Sequence, residues 1–371
     1  MSTEAVLDAL SKVEAPGFDG ESIVALGYVR DLDVNDGCSF RIELPTPITP
    51  ARQALVARCK EALSGFSGEV KVTLEAKVPA TFQTDEKGKG LAPGVKNFIA
   101  VGSGKGGVGK STVAANIAIG LAKAGARVGL LDADVYGPSV PLMFGTSHQA
   151  FMEEMELQRQ ENPPPPGQPP ALIPLVAHGV HTMSIGYLID PDQAAIWRGP
   201  MVHGAITQLL RDVQWGELDY MILDLPPGTG DVQLSLTQNL PLAGAVIVCT
   251  PQPVALADAR KALNMFNKTS TECLGIVQNM AFHACASCGH EDDIFGTQGA
   301  EDAAEEWKVP FLGSLPLDRS VRISGDEGRP VLAREDPGAL GDALWATIDR
   351  VTAVVASKVR ARPRSLPISR S

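Results

Sequence analysis

Gly104-Lys105-Gly106-Gly107-Val108-Gly109-Lys110-Ser111-Thr112 is the stretch on which the reading of this chain turns. It follows the apolar run Phe98–Val101 and precedes a segment apolar at Val113, Ile117 and Leu121, one helical face. Gly104, Gly109, Lys110 and Ser111 satisfy the phosphate-binding pattern G-x-x-x-x-G-K-[ST]. Glycines let the backbone from Gly104 to Thr112, including Gly106, Gly107 and Val108, curl so that several N–H groups face one anion. The helix that follows adds its positive end. Lys110 is expected at the β/γ-phosphates and the Ser111 hydroxyl on Mg²⁺. A second lysine, Lys105, marks the deviant form of the loop, in which it reaches a nucleotide on a partner subunit. Gly102, Gly104 and Gly107 also spell G-x-G-x-x-G, with Asp132 at a distance suited to a dinucleotide ribose. Lys110 and Ser111 have no task in such a turn and both have one in a phosphate loop.

The bulk numbers narrow the setting. The chain has 371 residues, enough for two domains, with 44% hydrophobic and 20% charged residues. A net charge of −11 argues against nucleic acid as main partner. No apolar stretch approaches a membrane span and the amino end, MSTEAVLDAL, lacks a basic leader, so a cytoplasmic location without membrane is expected. Six cysteines do not make a disulfide framework. Cys38, Cys59, Cys249 and Cys273 stand singly and read as small buried hydrophobes.

The expected fold is α/β: a mostly parallel-sheet P-loop NTPase domain preceded by a small α/β domain. Residues 1–82 form the small domain, with a strand over Ile23–Arg30, a turn at Asn35-Asp36-Gly37, a strand over Ser39–Leu44, a helix over Pro50–Leu63, and a strand through Val70, Val72 and Leu74. Residues 83–94 read as a linker and 95–356 as the NTPase domain. Its strands are placed at Phe98–Val101, Val128–Leu131, Tyr220–Leu223, Ala245–Cys249 and Leu274–Val277, alternating with helices. Asn162–Pro170 is a proline-rich insertion, and 357–371 a basic, disordered tail.

The second of these strands ends Asp132-Ala133-Asp134, two carboxylates pointing the same way if the strand continues that far. One suits the Mg²⁺ surroundings and the other the attacking water. Met221-Ile222-Leu223-Asp224 leads an apolar strand into an aspartate, the pattern of the Mg²⁺-associated carboxylate of P-loop ATPases. Pro226-Pro227-Gly228-Thr229-Gly230, just beyond, is a segment able to respond to a γ-phosphate. Asn279 follows the strand Leu274–Val277, where an amide suits adenine, which favours ATP.

Cys285-Ala286-Ser287-Cys288-Gly289 is a C-x-x-C with a glycine for a tight knuckle. Two thiolates make an incomplete site. Two chains paired about a twofold axis would bring four together, suiting either Zn²⁺ or a [4Fe–4S] cluster. His283 and His290 flank the pair and are expected beside the site rather than as ligands.

With these residues in hand, the chain closely resembles the Mrp family of iron–sulfur cluster carrier ATPases, relatives of the MinD and nitrogenase-reductase ATPases. The matching words lie in residues 97–335. They include Gly104–Thr112, the segment Asp132–Ser139, Trp197-Arg198-Gly199-Pro200-Met201, Asp224–Asp231, Gln278-Asn279-Met280 and Cys285-x-x-Cys288-Gly289. The resemblance implies that Lys105 crosses the homodimer to the other nucleotide and that Lys110 and Asp134 are catalytic, Asp134 positioning water. It places Ser111, Asp132 and Asp224 around Mg²⁺, and Asn279 on adenine. Cys285 and Cys288 are implied ligands of a labile [4Fe–4S] cluster shared between subunits. That cluster would be received from a scaffold or donor protein and handed to apo iron–sulfur proteins. The first domain resembles the small domain often fused ahead of this ATPase. Where that domain commonly has cysteine-proline, this chain has Thr46-Pro47-Ile48-Thr49-Pro50.

Three rivals differ in testable ways. A positioning ATPase of the MinD/ParA kind would want a membrane-seeking helix or a basic face. An electron-transfer reductase would carry its ligand cysteines far apart in sequence. A zinc-binding regulatory ATPase would use the same thiolates for a different metal.

Overall fold

The structure is a computed structural model and describes residues 2–35, 37–81, 91–165, 171–189, 199–285, 287–296 and 299–361. The chain forms two compact units, residues 1–81 with 349–371 and residues 82–348.

The smaller unit opens with α1 (Thr3–Leu10), followed by β1 (Val29–Asp33), β2 (Cys38–Leu44), α2 (Pro50–Gln53), α3 (Leu55–Ala62) and β3 (Val70–Ala76). β2 is central, antiparallel to β1 and parallel to β3. Its residues alternate between buried and half-buried, so one face is the core. Ile23–Tyr28, expected as strand, is a run of turns whose side chains Ile23 and Leu26 are buried, and pairing starts only at Val29. The expected helix over Pro50–Leu63 is broken at Ala54 into α2 and α3. Asp36 and most of the expected linker lie outside the described residues.

The larger unit is a doubly covered sheet. Its strands are β4 (Phe98–Gly102), β5 (Val128–Asp132), β6 (Leu175–Ala177), β7 (Val180–Ser184), β8 (Tyr220–Asp224), β9 (Leu242–Cys249), β10 (Cys273–Asn279) and, after the small pair β11 (His283–Ala284) and β12 (Glu291–Asp292), β13 (Phe311–Leu315). The eight-stranded order is β13-β10-β9-β4-β8-β5-β7-β6, parallel except for the edge strand β6. β4, β5 and β8 are buried at every position, as strands covered on both faces must be. The helices are α4 (Lys110–Lys123), α5 (Val140–Met143), α6 (His148–Glu161), α7 (Gly199–Asp212), α8 (Asp231–Asn239), α9 (Pro253–Lys268), α10 (Gly299–Trp307), α11 (Arg319–Asp326) and α12 (Gly338–Ala361). From β4 the chain runs past the place of β8 to β5, and later crosses to β9 on the other flank of β4. That reversal opens a crevice at the carboxyl end of β4, where the phosphate loop begins.

The expected division of the chain differs from the structure at both ends of the large domain. Ala92 and Val95 are buried in the larger unit's core, so the stretch read as linker already belongs to it there. α12 passes through the boundary at Asp349, and its Ala353 and Ala356 are buried in the core of the smaller unit with Leu10, Ile23 and Leu55. Ser357–Ala361, expected as disordered tail, continue this helix. The rest of the tail, 362–371, lies outside the described residues, as do 166–170 of the proline-rich insertion.

Within the smaller unit, Arg52 and Asp349 make a buried ion pair, Nε to Oδ1 3.2 Å. Arg52 also donates to the carbonyls of Pro47 at 3.0 Å and Asp349 at 2.9 Å. Thr49 donates its hydroxyl to Asp349 Oδ1 at 2.6 Å. The segment that replaces the cysteine-proline word is thus used to seat the last helix. Among the described residues no helix is long and apolar enough to cross a membrane.

Candidate functional site

The loop Ser103–Gly109 joins β4 to α4 and surrounds a recess of about 270 Å³ lined by Lys105, Gly107, Lys110, Ser111, Asp134 and Pro227, among others. Gly107 and Gly109 have φ of 80° and 83°, which opens the curl that turns backbone N–H groups inward. Gly104 is needed for a different reason. A Cβ there would collide with the backbone of Asp258 in α9, so the loop and that helix touch main chain to main chain. Lys105, implied to act across a dimer, is half-buried at the rim.

Register brings the acidic residues together. Asp132 and Asp224 are directly paired across β5 and β8, and Val101 pairs with Asp224 across β4 and β8. Lys110 Nζ is 2.6 Å from Asp224 Oδ1, 3.9 Å from Asp134 Oδ2 and 3.1 Å from Ser111 Oγ. Asp224 is fully buried, and its Oδ2 has no hydrogen-bond partner among the described residues. A buried carboxylate oxygen left open, with a serine hydroxyl on the same lysine, is an oxygen donor of the kind a hard cation takes.

Asp132, implied beside Mg²⁺, is tied to the loop that follows its strand. Its Oδ1 accepts from the Asp134 N–H at 3.1 Å, and its Oδ2 from the N–H groups of Ser139 and Val140 and the Ser184 hydroxyl at 3.1, 3.2 and 3.0 Å. Three of these four donors fall on Oδ2 and one on Oδ1, so most of the group's bonding goes to backbone and to Ser184. It holds the loop Ala133–Ser139, and with it Asp134, against the sheet. Burial, and then the Asp224 charge alongside, push the Asp132 carboxyl up to about 7, against the pull of these donors. Burial also raises Asp134, opposed by Lys110.

Leu225 N–H donates to Val101 O and Gly228 N–H to Ser103 O, both at 3.0 Å, so the Pro226–Gly230 segment starts on the phosphate loop's own backbone. Gly228 has φ 93°. Asn279, expected on adenine, donates its amide to Val108 O at 2.9 Å, and a Cβ at Gly109 would strike that amide. In this structure it braces the phosphate loop from beneath.

The cysteine motif lies between β11 and β12. Cys285 N–H donates to His290 O and Gly289 N–H to Cys285 O, both at 2.8 Å, with Gly289 at φ 72° closing the knuckle. Cys285 is half-buried and Cys288 exposed. The N–H groups of Ser287 and Cys288, then the Cys288 thiol, donate to the Cys285 sulfur and lower its thiol below the usual range. This is a donor set suited to thiolate. The His283 Nδ1 lies 3.1 Å from Leu317 O. Among the described residues no group of three or more His, Cys, Asp or Glu side chains gathers as a metal site, so one chain offers these two sulfurs alone. A larger recess of about 400 Å³ in the smaller unit, lined by Tyr28, Lys77 and Arg360 among others, holds none of the candidate residues.

With this geometry in hand, comparison with known proteins identifies the chain. The family described as NUBPL iron-transfer P-loop NTPase matches residues 94–352. The chain belongs to this family. Residues 3–74 match a second family, the iron-sulfur cluster assembly proteins. A curated relative from Synechocystis sp., an iron-sulfur cluster carrier protein, is 44% identical over 96% of this chain and 98% of its own. The protein of that name from Escherichia coli is 47% identical over 90% of this chain and 86% of its own. Among solved structures, the nucleotide-binding protein of Archaeoglobus fulgidus in complex with ADP, with Co, is 39% identical. It covers 66% of this chain and 92% of its own, with a TM-score of 0.54. The family and this likeness agree with the fold class expected from the sequence.

Two contacts around the site could not be read from the sequence. Ser184 ends β7, a strand without a long apolar run, and its tie to Asp132 exists only through sheet register. Gln278 is buried in β10 beside Asn279, and its Oε1 accepts from the Ala300 N–H at 2.9 Å.

Proposed function

We propose that this protein is an ATP-hydrolysing iron–sulfur cluster carrier that holds a labile [4Fe–4S] cluster between two copies of itself and passes it to apo-proteins. The observation that carries the reading is a thiolate knuckle at the surface, two sulfurs short of a cluster site, in the same compact unit as a full phosphate-binding loop. The full-length relatives that bear the name of cluster carrier support it.

In this reading the N–H groups of Gly106–Thr112 cradle the phosphates and Lys110 turns from Asp224 to the β/γ-oxygens. Ser111 Oγ and Asp224 Oδ2 hold Mg²⁺, which when bound draws charge from the transferring phosphoryl group. Asp134 orients the attacking water and Lys105 completes the site of the other subunit. Asp132, with Ser184, positions Asp134. Asn279 secures the loop whose backbone does the binding. Cys285 and Cys288 of both copies hold the cluster as cargo, at an accessible seam because a recipient's thiols must reach it.

Anaerobic reconstitution with iron and sulfide tests the reading. One [4Fe–4S] absorption and iron stoichiometry per two chains is expected, lost in Cys285→Ser and Cys288→Ser while nucleotide binding stays. Loaded wild type activates an apo iron–sulfur enzyme. Stoichiometric zinc with refusal of a cluster overturns the carrier reading in favour of a zinc knuckle.

A further inference from the structure

The last two residues of β10 touch two different parts of the site. Successive side chains of a strand point to opposite faces, so Gln278 and Asn279 face opposite ways from one peptide unit. Asn279 donates to Val108 O in the phosphate loop at 2.9 Å. Gln278 accepts from the N–H of Ala300, in the first turn of α10, at 2.9 Å, with both residues buried. α10 is the helix that follows the cysteine hairpin, and its start cannot slip freely. A Cβ on Gly299 would lie 2.8 Å from Pro251 O at the end of β9. The entry to the hairpin is held as well: Ala281 N–H donates to Leu315 O at 2.9 Å and Leu317 N–H to Phe282 O at 2.7 Å. Between the pair and the hairpin, Met280 sits at φ 56°, a left-handed conformation that a side-chain-bearing residue keeps only where its surroundings impose it.

We infer that the Gln278–Asn279 pair is the link through which the state of the phosphate loop reaches the cysteine hairpin, with Gln278 as a positioning residue. This rests on the carrier reading. The loop that closes on phosphates carries Val108 with it. Asn279 is bonded to Val108, and a shift of that end of β10 is passed by Gln278 to the α10 start and by Met280 to the hairpin entry. The two ends of the hairpin then move relative to each other, and the knuckle that presents Cys285 and Cys288 opens or tightens. The coupling needs no contact between nucleotide and cysteines, only a rigid strand whose last two side chains face different ways.

The test uses the full chain with its thiols bare. N-ethylmaleimide alkylation of Cys285 and Cys288 is followed by mass spectrometry, with and without Mg²⁺ and a non-hydrolysable ATP analogue. In wild type the analogue is expected to change the rate by about fivefold or more, the range of ordinary coupling energies. Gln278→Leu should bind the analogue as wild type does, read with a fluorescent nucleotide, yet lose the change. Gln278→Glu, which keeps an acceptor for Ala300, should retain it. Ala300→Pro removes the same bond from the donor side, is tolerated in a helix's first turn, and should behave as Gln278→Leu does. The inference is overturned if wild type binds the analogue without a change in alkylation. It fails equally if both bond-removing variants keep the change, or if Gln278→Glu loses it. Failure of the carrier reading shows separately, as wild type that takes up no iron and sulfide.

Discussion

Lys110 and Asp224 are paired inside the larger unit at 2.6 Å, with their side chains 6% and 0% exposed. The cation proposed to meet phosphate is therefore also the counter-charge of a carboxylate that water does not reach. Removing it alone strands that carboxylate, at a cost of about 3–5 kcal/mol. Lys110→Met should lower stability by roughly that amount in urea denaturation, and the double change with Asp224→Asn should recover most of the loss. Neither variant should release phosphate from ATP above background. An equally unstable double variant would mean that the pair's charges are not what matters.

Asp134 stands farther from Lys110 than Asp224 does, at 3.9 Å, and its backbone N–H is tied to Asp132, so changing its side chain should leave the site standing. Asp134→Asn is expected to bind nucleotide normally and to cut Mg²⁺-dependent turnover by about 10²-fold or more, as loss of a water-orienting group does. Mixing it with Lys105→Ala should restore part of the activity, since some mixed dimers contain one complete site. No recovery, with mixed dimers demonstrated, would put Lys105 in its own subunit's site.

Arg52 is 0% exposed and Asp349 5%, and the arginine also bonds Pro47 O, Asp349 O and the Thr352 hydroxyl in the smaller unit. Arg52→Met should destabilise that unit by about 3–5 kcal/mol by leaving Asp349 without its cation. Burial already raises the Asp349 carboxyl, and Arg52 is what opposes it. Without Arg52 it rises further, so the folded state holds a proton that the unfolded chain has released above about pH 4. The defect should accordingly be smaller at pH 4 than at pH 8. A defect that is larger in acid would show the reasoning to be wrong.

Burial pushes the Cys59 and Cys249 thiols up to about 12, and Cys38 and Cys273 are also buried. A thiol reagent at pH 8 should therefore label two cysteines in the folded, metal-free chain, Cys285 and Cys288, and all six only after denaturation. Rapid labelling of a third would indicate that a strand end or helix in one of the cores opens readily.

The nucleotide site was legible in the sequence where its chemistry is local. Spacing alone places Lys110 and Ser111 at a helix start, and an apolar run ending in Asp224 reads as a covered strand. Asp132 was legible as a site residue, but not its hold on the loop beyond it, because the Ser184 hydroxyl reaches it only when β5 and β7 pair. Asn279 was expected just past its strand, yet β10 runs through it, and its partner Val108 lies in a loop brought over it by the order of the sheet. Least legible was the use of α12. Its Ala353 and Ala356 run into a basic stretch that reads as solvated tail, and the core that covers them is made of residues from the other end of the sequence.

That last feature sets a timetable for synthesis. The smaller unit cannot complete its core until Ala353 and Ala356 have left the ribosome, although Val6 and Leu10 emerged first. At about 5–20 residues per second, its opening residues wait tens of seconds while residues 82–348 are made. The nucleotide-binding unit is free to fold during that interval. Its neighbour, first in sequence, is last to be finished, and a chain released early would carry a folded NTPase behind an open module.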